Sequence, residues 1–501
     1  MADFIPSAQQ NAFFDWVDTG TGSATMIAVA GAGKTTTILR GISRMKGRVF
    51  LGMFNKSIAK EAREKAEDMG IMRPGFKIGT MHSAGFSAWR YLNPSVQVDE
   101  NKVKNITKRL MAREPRVERA MTFISKVVSF AKQLLIMQDP DPETKMLDVL
   151  DHFSLVNELP GDIEINEALD WAKKVFWQSH RECAKIIDFD DMIYAPVAFN
   201  ARMYQNDWVL MDEAQDTNPA RRALMKKMLA PKGRMVAVGD PWQAIYGFTG
   251  ADADAMSLIE QEFNCTRLEL TTTYRCPKDV VKYVQKWVSH IHAHSSAPDG
   301  MVAALAAEYR VDGKTLPWYM VNRPDTTDAI LCRNTAPIVM TAYGMLRNNI
   351  PCRVEGRDIG KGLVSLVKRW KARDLDALEV RLEKYLETEK EKAKELDKPC
   401  IAENAEDKVE TLKVFIEKTR DKGLNTVKSL IEEIESLFQD EVKGVTVLST
   451  LHKAKGREWP SVYWLQVPPV QRAMKEWEER GEICCNYVAG TRAKDKLYLV
   501  G

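Results

Sequence analysis

Gly31, Gly33, Lys34 and Thr35 belong to the stretch Ala-Val-Ala-Gly-Ala-Gly-Lys-Thr, residues 28–35, whose residue types suit the holding of a phosphate chain. Glycine accepts left-handed torsions, so backbone N–H groups around Gly31 and Gly33 can turn inward, and a helix beginning directly behind them adds the positive end of its dipole. Lys34 can then reach the β- and γ-phosphates of a nucleotide and the Thr35 hydroxyl can hold Mg²⁺, with Ala30, Ala32 and Thr36 in the same loop. The usual first glycine of such a loop is Ala28 here. A second group, Asp212-Glu213-Ala214-Gln215-Asp216, follows the apolar run Trp208-Val209-Leu210-Met211. A carboxylate at the end of a buried strand can coordinate Mg²⁺ through water, and a second beside it can orient or deprotonate an attacking water. Asp212 is therefore expected at the metal and Glu213 as the catalytic base.

The elements that must position these groups are legible as apolar runs. Residues 25–29, 48–54, 77–80, 209–211 and 235–238 read as buried strands, and residues 35–45 and 57–69 as helices between them. Such alternation predicts a parallel sheet with crossover helices. A short helix start at residues 6–16 carries Gln9 and Gln10. Residues 99–180 change to a Lys- and Arg-rich helical pattern without strand signals. A second alternating region opens near Leu268, with strands at 268–271, 329–332, 445–448 and 497–500. Within it, residues 364–439 repeat Glu, Lys and Leu at helical spacing, and their opposite charges three and four apart predict solvated helix faces.

A chain of 501 residues exceeds one compact core, so several domains are expected. Seventy-two basic residues against sixty-nine acidic ones leave a net charge of only +3, so any polyanion would have to be met by segregated patches rather than by overall charge. The first residues lack a basic and apolar leader, and no eighteen apolar residues run together, which predicts a cytoplasmic or nuclear protein without membrane attachment. The eight cysteines show no paired C-x-x-C zinc spacing and read as reduced thiols.

Further segments in fixed order make the chain resemble the UvrD/Rep-like branch of superfamily 1 DNA helicases, with motif wording (FNKSIAKEA, STLHKAKGREW) nearest the F-box DNA helicase group and phage relatives. The resemblance implies an adenine-reading role for Gln9 and DNA contacts in Phe54-Asn55-Lys56 and Gly79-Thr80-Met81-His82. Val238 to Tyr246 matches a coupling motif in which Gln243 senses the γ-phosphate, and Thr273-Tyr274-Arg275 a nucleotide-clamping segment in which Tyr274 stacks on adenine. Residues 450–459 and 487–493 match the last two motifs, where Gly456 and Glu458 contact the nucleotide. Arg275 and Arg492 are suited to bring positive charge to the γ-phosphate, the alternative for either being a surface salt bridge. Stacking on unpaired bases is expected first of Tyr246 and Phe248, then of Phe54, His82, His452 and Trp459. Phe248-Thr249 replaces the family's usual Trp-Arg, and Phe54 sits one residue later than the family's aromatic, where a core phenylalanine is the competing reading.

The expected fold is α/β, with two RecA-like parallel-sheet lobes of the P-loop NTPase type. The first lobe comprises residues 1–98 and 181–266 around a helical insertion at 99–180. The second comprises 267–363 and 441–501 around a charged helical insertion at 364–440. The resemblance implies a monomeric ATP- and Mg²⁺-dependent helicase of phage or bacterial type, acting on single-stranded DNA and duplex junctions with 3′ to 5′ movement. Two other readings stay open: a translocase that strips proteins from single strands, and a nucleic-acid-binding module switched by ATP. Nine residues follow Arg492, so a fused nuclease is not expected.

Overall fold

A computed structural model describes residues 4–114, 116, 119–152, 155, 159, 163–245, 254–395, 399–438, 444–466 and 476–501. The chain divides after Thr271 into two units.

The N-terminal unit is built on six parallel strands: Ala24–Ala28 (β1), Val49–Met53 (β2), Phe76–Thr80 (β3), Asn206–Met211 (β4), Leu229–Gly239 (β5) and Thr266–Leu270 (β6). Their spatial order is β3-β2-β4-β5-β1-β6. Strands β1 and β2 are buried along their whole length, which is why they read as continuous apolar runs, whereas β3 at the sheet edge alternates buried and exposed positions. The strand expected to open the second alternating region near Leu268 is instead the other edge of this first sheet, paired in parallel with β1 from Ala24↔Thr266 to Ala28↔Leu270. Its polar sequence Thr-Arg-Leu-Glu-Leu is that of an edge strand with only Leu270 buried, so it resembles none of the central runs.

The insertion folds as helices Lys102–Leu110, Met121–Gln133, Pro142–His152 and Ile165–Glu182 around its own apolar core, which includes Phe123, Ile124, Val127, Val175 and Phe176. Two of the lysines in this Lys- and Arg-rich segment lie inside it. Lys102 and Lys132 are buried against Asp188 and Asp191.

The C-terminal unit carries a second six-stranded parallel sheet: Met301–Leu305 (β7), Ala329–Cys332 (β8), Cys352–Val354 (β9), Thr446–Thr450 (β10), Trp459–Leu465 (β11) and Ala493–Val500 (β12), in the order β7-β12-β11-β8-β10-β9. The α/β class with two parallel-sheet lobes is thus the fold of the chain. Between β9 and β10 lie helices Arg357–Trp370, Leu375–Glu395, Pro399–Asp421 and Val427–Leu437. They are charged outside, yet Leu378, Leu382, Leu412, Phe415 and Ile434 share one core with Ile330, Leu448 and Tyr463 of the sheet. Among the described residues no helix is long and apolar enough to cross a membrane.

Candidate functional site

Parallel strands collect chemistry at their C-terminal ends, and here β4, β5 and β1 are neighbours that finish together. Beyond Ala28 the chain turns through Gly31 and Gly33 at φ of 73° and 75°, torsions that a side chain would strain. Gly33 caps the helix Lys34–Ile42, which points its free N–H groups into the loop. From below, Gln10 Nε2 donates to Thr37 Oγ1 at 2.9 Å, and that hydroxyl donates to Gly33 O at 3.0 Å. Gln10 also closes a capping box with Ser7 at the start of the helix Ala8–Thr19, so it braces the loop. Its neighbour Gln9 faces the end of β6, where its carbonyl accepts from Thr271 N at 2.8 Å and its amide donates to Thr271 Oγ1 at 2.9 Å.

Lys34 is surrounded by acids. Its Nζ lies 3.1 Å from Glu213 Oε1. Burial, the largest influence, works to depress the ammonium, but Glu213, Asp212 and Asp240 together outweigh it and hold the pKa above the ordinary lysine value. Asp212, buried at the end of β4, is pushed up to about 6 by burial and then by the Glu213 charge, with Lys34 and hydrogen bonds from Glu213 N and the Thr35 hydroxyl opposing. Asp240, at the end of β5, is also raised by burial against the opposing Lys34 charge. The Thr35–Asp212 pairing is the feature that fits Mg²⁺, because a hydroxyl and a carboxylate offer hard oxygens side by side.

Glu213 occupies a left-handed backbone conformation, φ 53°, uncommon for a residue with a side chain. Gln215 steadies that turn: its Nε2 donates to Glu213 Oε2, and its Oε1 accepts the Asp240 N–H at 3.0 Å. Gln243 Nε2 donates to Asp240 Oδ2 at 2.8 Å, joining the γ-phosphate sensor of the sequence reading to the same acid cluster. Asp240 and Gln215 were visible in the sequence inside their motifs, but nothing local showed that they meet.

The early DNA-contact candidates emerge from the same ends of β2 and β3. Asn55 caps the helix Lys56–Asp68, its Oδ1 accepting from Ile58 N, and Thr80 caps the helix Met81–Leu92 in a capping box with Ser83. Phe54 and His82 line one cavity of about 330 Å³ with Arg221, Asn218, Gln133 and Asp190. The Arg221 guanidinium stands 5.7 Å from the Phe54 ring centre. Burial and then the Arg221 charge lower the His82 pKa to about 4, so its ring is neutral near pH 7. Tyr246 and Phe248 lie outside the described residues.

Sequence reasoning passed over the run Asp188-Phe189-Asp190-Asp191. Lys102 Nζ donates to Asp191 Oδ2 at 2.6 Å, and Lys132 Nζ sits 2.6 Å from Asp188 Oδ2 and 2.8 Å from Asp191 Oδ1. The network reaches the cavity through Gln133, whose Nε2 donates to Asp190 Oδ1 at 3.0 Å and whose Oε1 accepts from Asn218 at 3.3 Å. Three acids in four residues after an apolar pair was the available signal.

In the C-terminal unit, Arg275 Nε donates to Glu458 Oε2 at 2.5 Å, and Lys494 Nζ lies 3.4 Å from Glu458 Oε1. Arg492 is buried, with Nε donating to Val488 O at 3.0 Å and Nη1 to Arg457 O at 3.1 Å. Tyr274 is half exposed, 4.8 Å between ring centres from His294. Gly456 takes φ 82° in the turn after the helix Leu451–Ala454. His452 in that helix is lowered to about 4 by burial and then by Arg333, Lys455 and Lys453. Trp459 opens β11 and is buried, with the Arg457 guanidinium 5.0 Å from its ring centre.

Residues 9–264 match the UvrD/REP helicase N-terminal domain, and residues 363–500 the UvrD-like helicase C-terminal domain. The chain is 22% identical over 377 residues to ATP-dependent DNA helicase Rep of Escherichia coli (strain K12), covering 67% of this chain and 53% of that protein. It is 23% identical over 302 residues to ATP-dependent DNA helicase PcrA of Staphylococcus epidermidis, covering 55% and 39%. With DNA helicase IV of Escherichia coli it shares 33% identity over 105 residues, 20% of this chain and 15% of the relative. These matches span about half the length of the relatives or less.

Proposed function

Because the chain belongs to the UvrD/Rep helicase family, we propose that it is an ATP-dependent DNA helicase that moves along single-stranded DNA, 3′ to 5′, and opens duplex junctions. The observation that carries this reading is the gathering of Lys34, Asp212, Glu213 and Asp240 at the ends of three adjacent strands, directly against a left-handed glycine loop. Lys34 and the N-terminal amides of its helix bind the nucleotide's phosphates. Thr35 and Asp212 would hold Mg²⁺, which would offset the negative charge of the phosphates. Glu213, tethered by Gln215, orients the attacking water and accepts its proton at a carboxylate oxygen. Gln243 reads the acid cluster through Asp240. Arg275 and Arg492 supply further positive charge to the γ-phosphate, and Gln9, Tyr274, Gly456 and Glu458 complete nucleotide recognition. Phe54 and His82 meet unpaired bases from one cavity, with Asn55, Thr80, Tyr246, Phe248 and His452 as the remaining DNA contacts; Trp459, buried at the start of β11, offers no ring face for stacking and is left out of that set.

ATP turnover with and without oligo-dT, and unwinding of duplexes bearing a 3′ or a 5′ single-stranded tail, test the proposal. Turnover stimulated by oligo-dT and opening of the 3′-tailed duplex are expected. Stimulated turnover without strand separation would replace unwinding by translocation, and turnover indifferent to DNA would remove the motor reading.

A further inference from the structure

Strand β3 is a sheet edge, and along it runs a groove of about 1210 Å³ that none of the motifs includes as a whole. Its cations are Arg48, Arg63, Lys77, Arg202, Lys226 and Lys227, and among the described residues no carboxylate lines it. In a chain with seventy-two basic and sixty-nine acidic residues, that is the segregation which overall charge conceals. Two tyrosines stand in the same groove with their rings in solvent, Tyr91 at 83% and Tyr204 at 52% exposure. Lys77 Nζ lies 4.3 Å and the Arg48 guanidinium 5.5 Å from the Tyr204 ring centre, so one aromatic face is bordered by cations.

Some of this charge is engaged. Arg63 donates to Ile78 O at 2.8 Å, Lys227 donates to Asn200 Oδ1, Arg48 faces Asp207 at 3.7 Å and Lys226 faces Glu262 at 3.9 Å. The two ion pairs are long and exposed, a geometry that holds charge weakly and yields to a polyanion. Lys77 and Arg202 are exposed, neither is paired with a carboxylate among the described residues, and they are the best placed phosphate contacts. Gly79 and Ser83 also line the groove, so it begins at the segment that holds Thr80 and His82.

We propose that this groove is a second single-stranded nucleic-acid site, an extension of the strand path past the motif loops along the outer edge of β3. The proposal rests on the reading of the chain as a DNA motor. Alternating cations and exposed rings suit phosphates and unpaired bases together, which neither a duplex, with its bases stacked inward, nor an acidic peptide, with no bases, would use.

Anisotropy of labelled oligo-dT of about 8 and about 25 nucleotides bound to the full chain tests it, with the doubles Lys77→Ala/Arg202→Ala and Tyr91→Ala/Tyr204→Ala. For the longer oligonucleotide each double is expected to weaken binding about tenfold, and the cation pair to flatten the slope of log affinity against log salt by about 1.4. Stimulation of ATP turnover by the shorter oligonucleotide stays unchanged. Wild-type affinity of both doubles for the longer oligonucleotide overturns the proposal and leaves the motor intact. An equal loss on blunt duplex overturns the single-strand assignment. A wild-type chain whose turnover ignores oligo-dT removes the motor reading and the groove proposal with it.

Discussion

The Lys34 ammonium lies 3.1 Å from Glu213 Oε1, so the cation of the glycine loop and the acid assigned to activate water neutralise one another. Phosphates entering the loop must share Lys34 with that carboxylate, which ties substrate binding to the freeing of the base. Lys34→Ala removes both the phosphate contact and the counter-charge of three acids. Turnover is expected to fall at least about 10²-fold. The variant is also expected to melt below wild type, and adding Glu213→Gln should restore part of that loss, because an uncompensated buried charge costs more than an absent one. Calorimetry of the single and double variants checks the second point, and a double variant no more stable than Lys34→Ala would refute it.

His82 gives a pH signature with a definite sign. Its folded pKa of about 4 lies below the ordinary histidine value near 6.5, owing to burial and then Arg221. Between those values the unfolded chain binds a proton that the folded chain refuses. The contribution is therefore fully present above about pH 6.5 and is lost as pH falls toward about 4. The Tm of wild type minus that of His82→Gln should shrink between about pH 7 and about pH 5. A flat difference would show that His82 charges as readily in the fold as in water.

The central strands were legible because β1, β2 and β4 have no solvent face along most of their length, and a parallel strand covered on both sides can only be written in apolar residues. The groups at their ends were legible for a related reason: Asp212 and Glu213 follow such a run immediately, and Lys34 follows one across the short glycine loop. Elsewhere the physics is non-local. Nothing local marks Lys102 and Lys132 as buried, because their partners, Asp188 and Asp191, lie many residues away. Strand β11 was hidden by Pro460 and Ser461, where its register against β12 shifts between Trp459 and Ser461 and breaks the apolar run. Nothing in its residue type distinguishes Gln10 from its neighbour Gln9, and only the folded loop shows it beneath Thr37.

That buried lysine network sets the next expectation. Lys132 is held between Asp188 and Asp191, with side-chain exposures of 1% for the lysine and 0% for Asp191. Lys132→Met keeps the stem but leaves two acids beside one remaining cation, Lys102. Removing one partner of a buried pair typically costs about 3–5 kcal/mol, so the N-terminal unit should unfold at markedly lower urea. The cavity near Phe54 should loosen with it, because Asp190 and Gln133 share that helix and turn. Urea melts followed by tryptophan fluorescence test this. An unchanged midpoint would mean that the network contributes nothing net.

Gly239 tests the tether of the base. A Cβ built there would stand 2.4 Å from Gln215 Oε1 and 2.9 Å from Met256 Sδ. Gln215 cannot yield without giving up the Asp240 N–H, and its amide would then leave Glu213 Oε2. Gly239→Ala should therefore cost about 1–3 kcal/mol of stability through overpacking. It should also lower kcat more than it weakens nucleotide binding, since Lys34 and the loop glycines are untouched while the orientation of Glu213 is lost. Equilibrium binding of a fluorescent ATP analogue set against single-turnover hydrolysis separates the two. If both fall in step, the damage is a general loosening of the site. If hydrolysis is unaffected, Gln215 does not position Glu213, and the left-handed turn at φ 53° holds the base unaided.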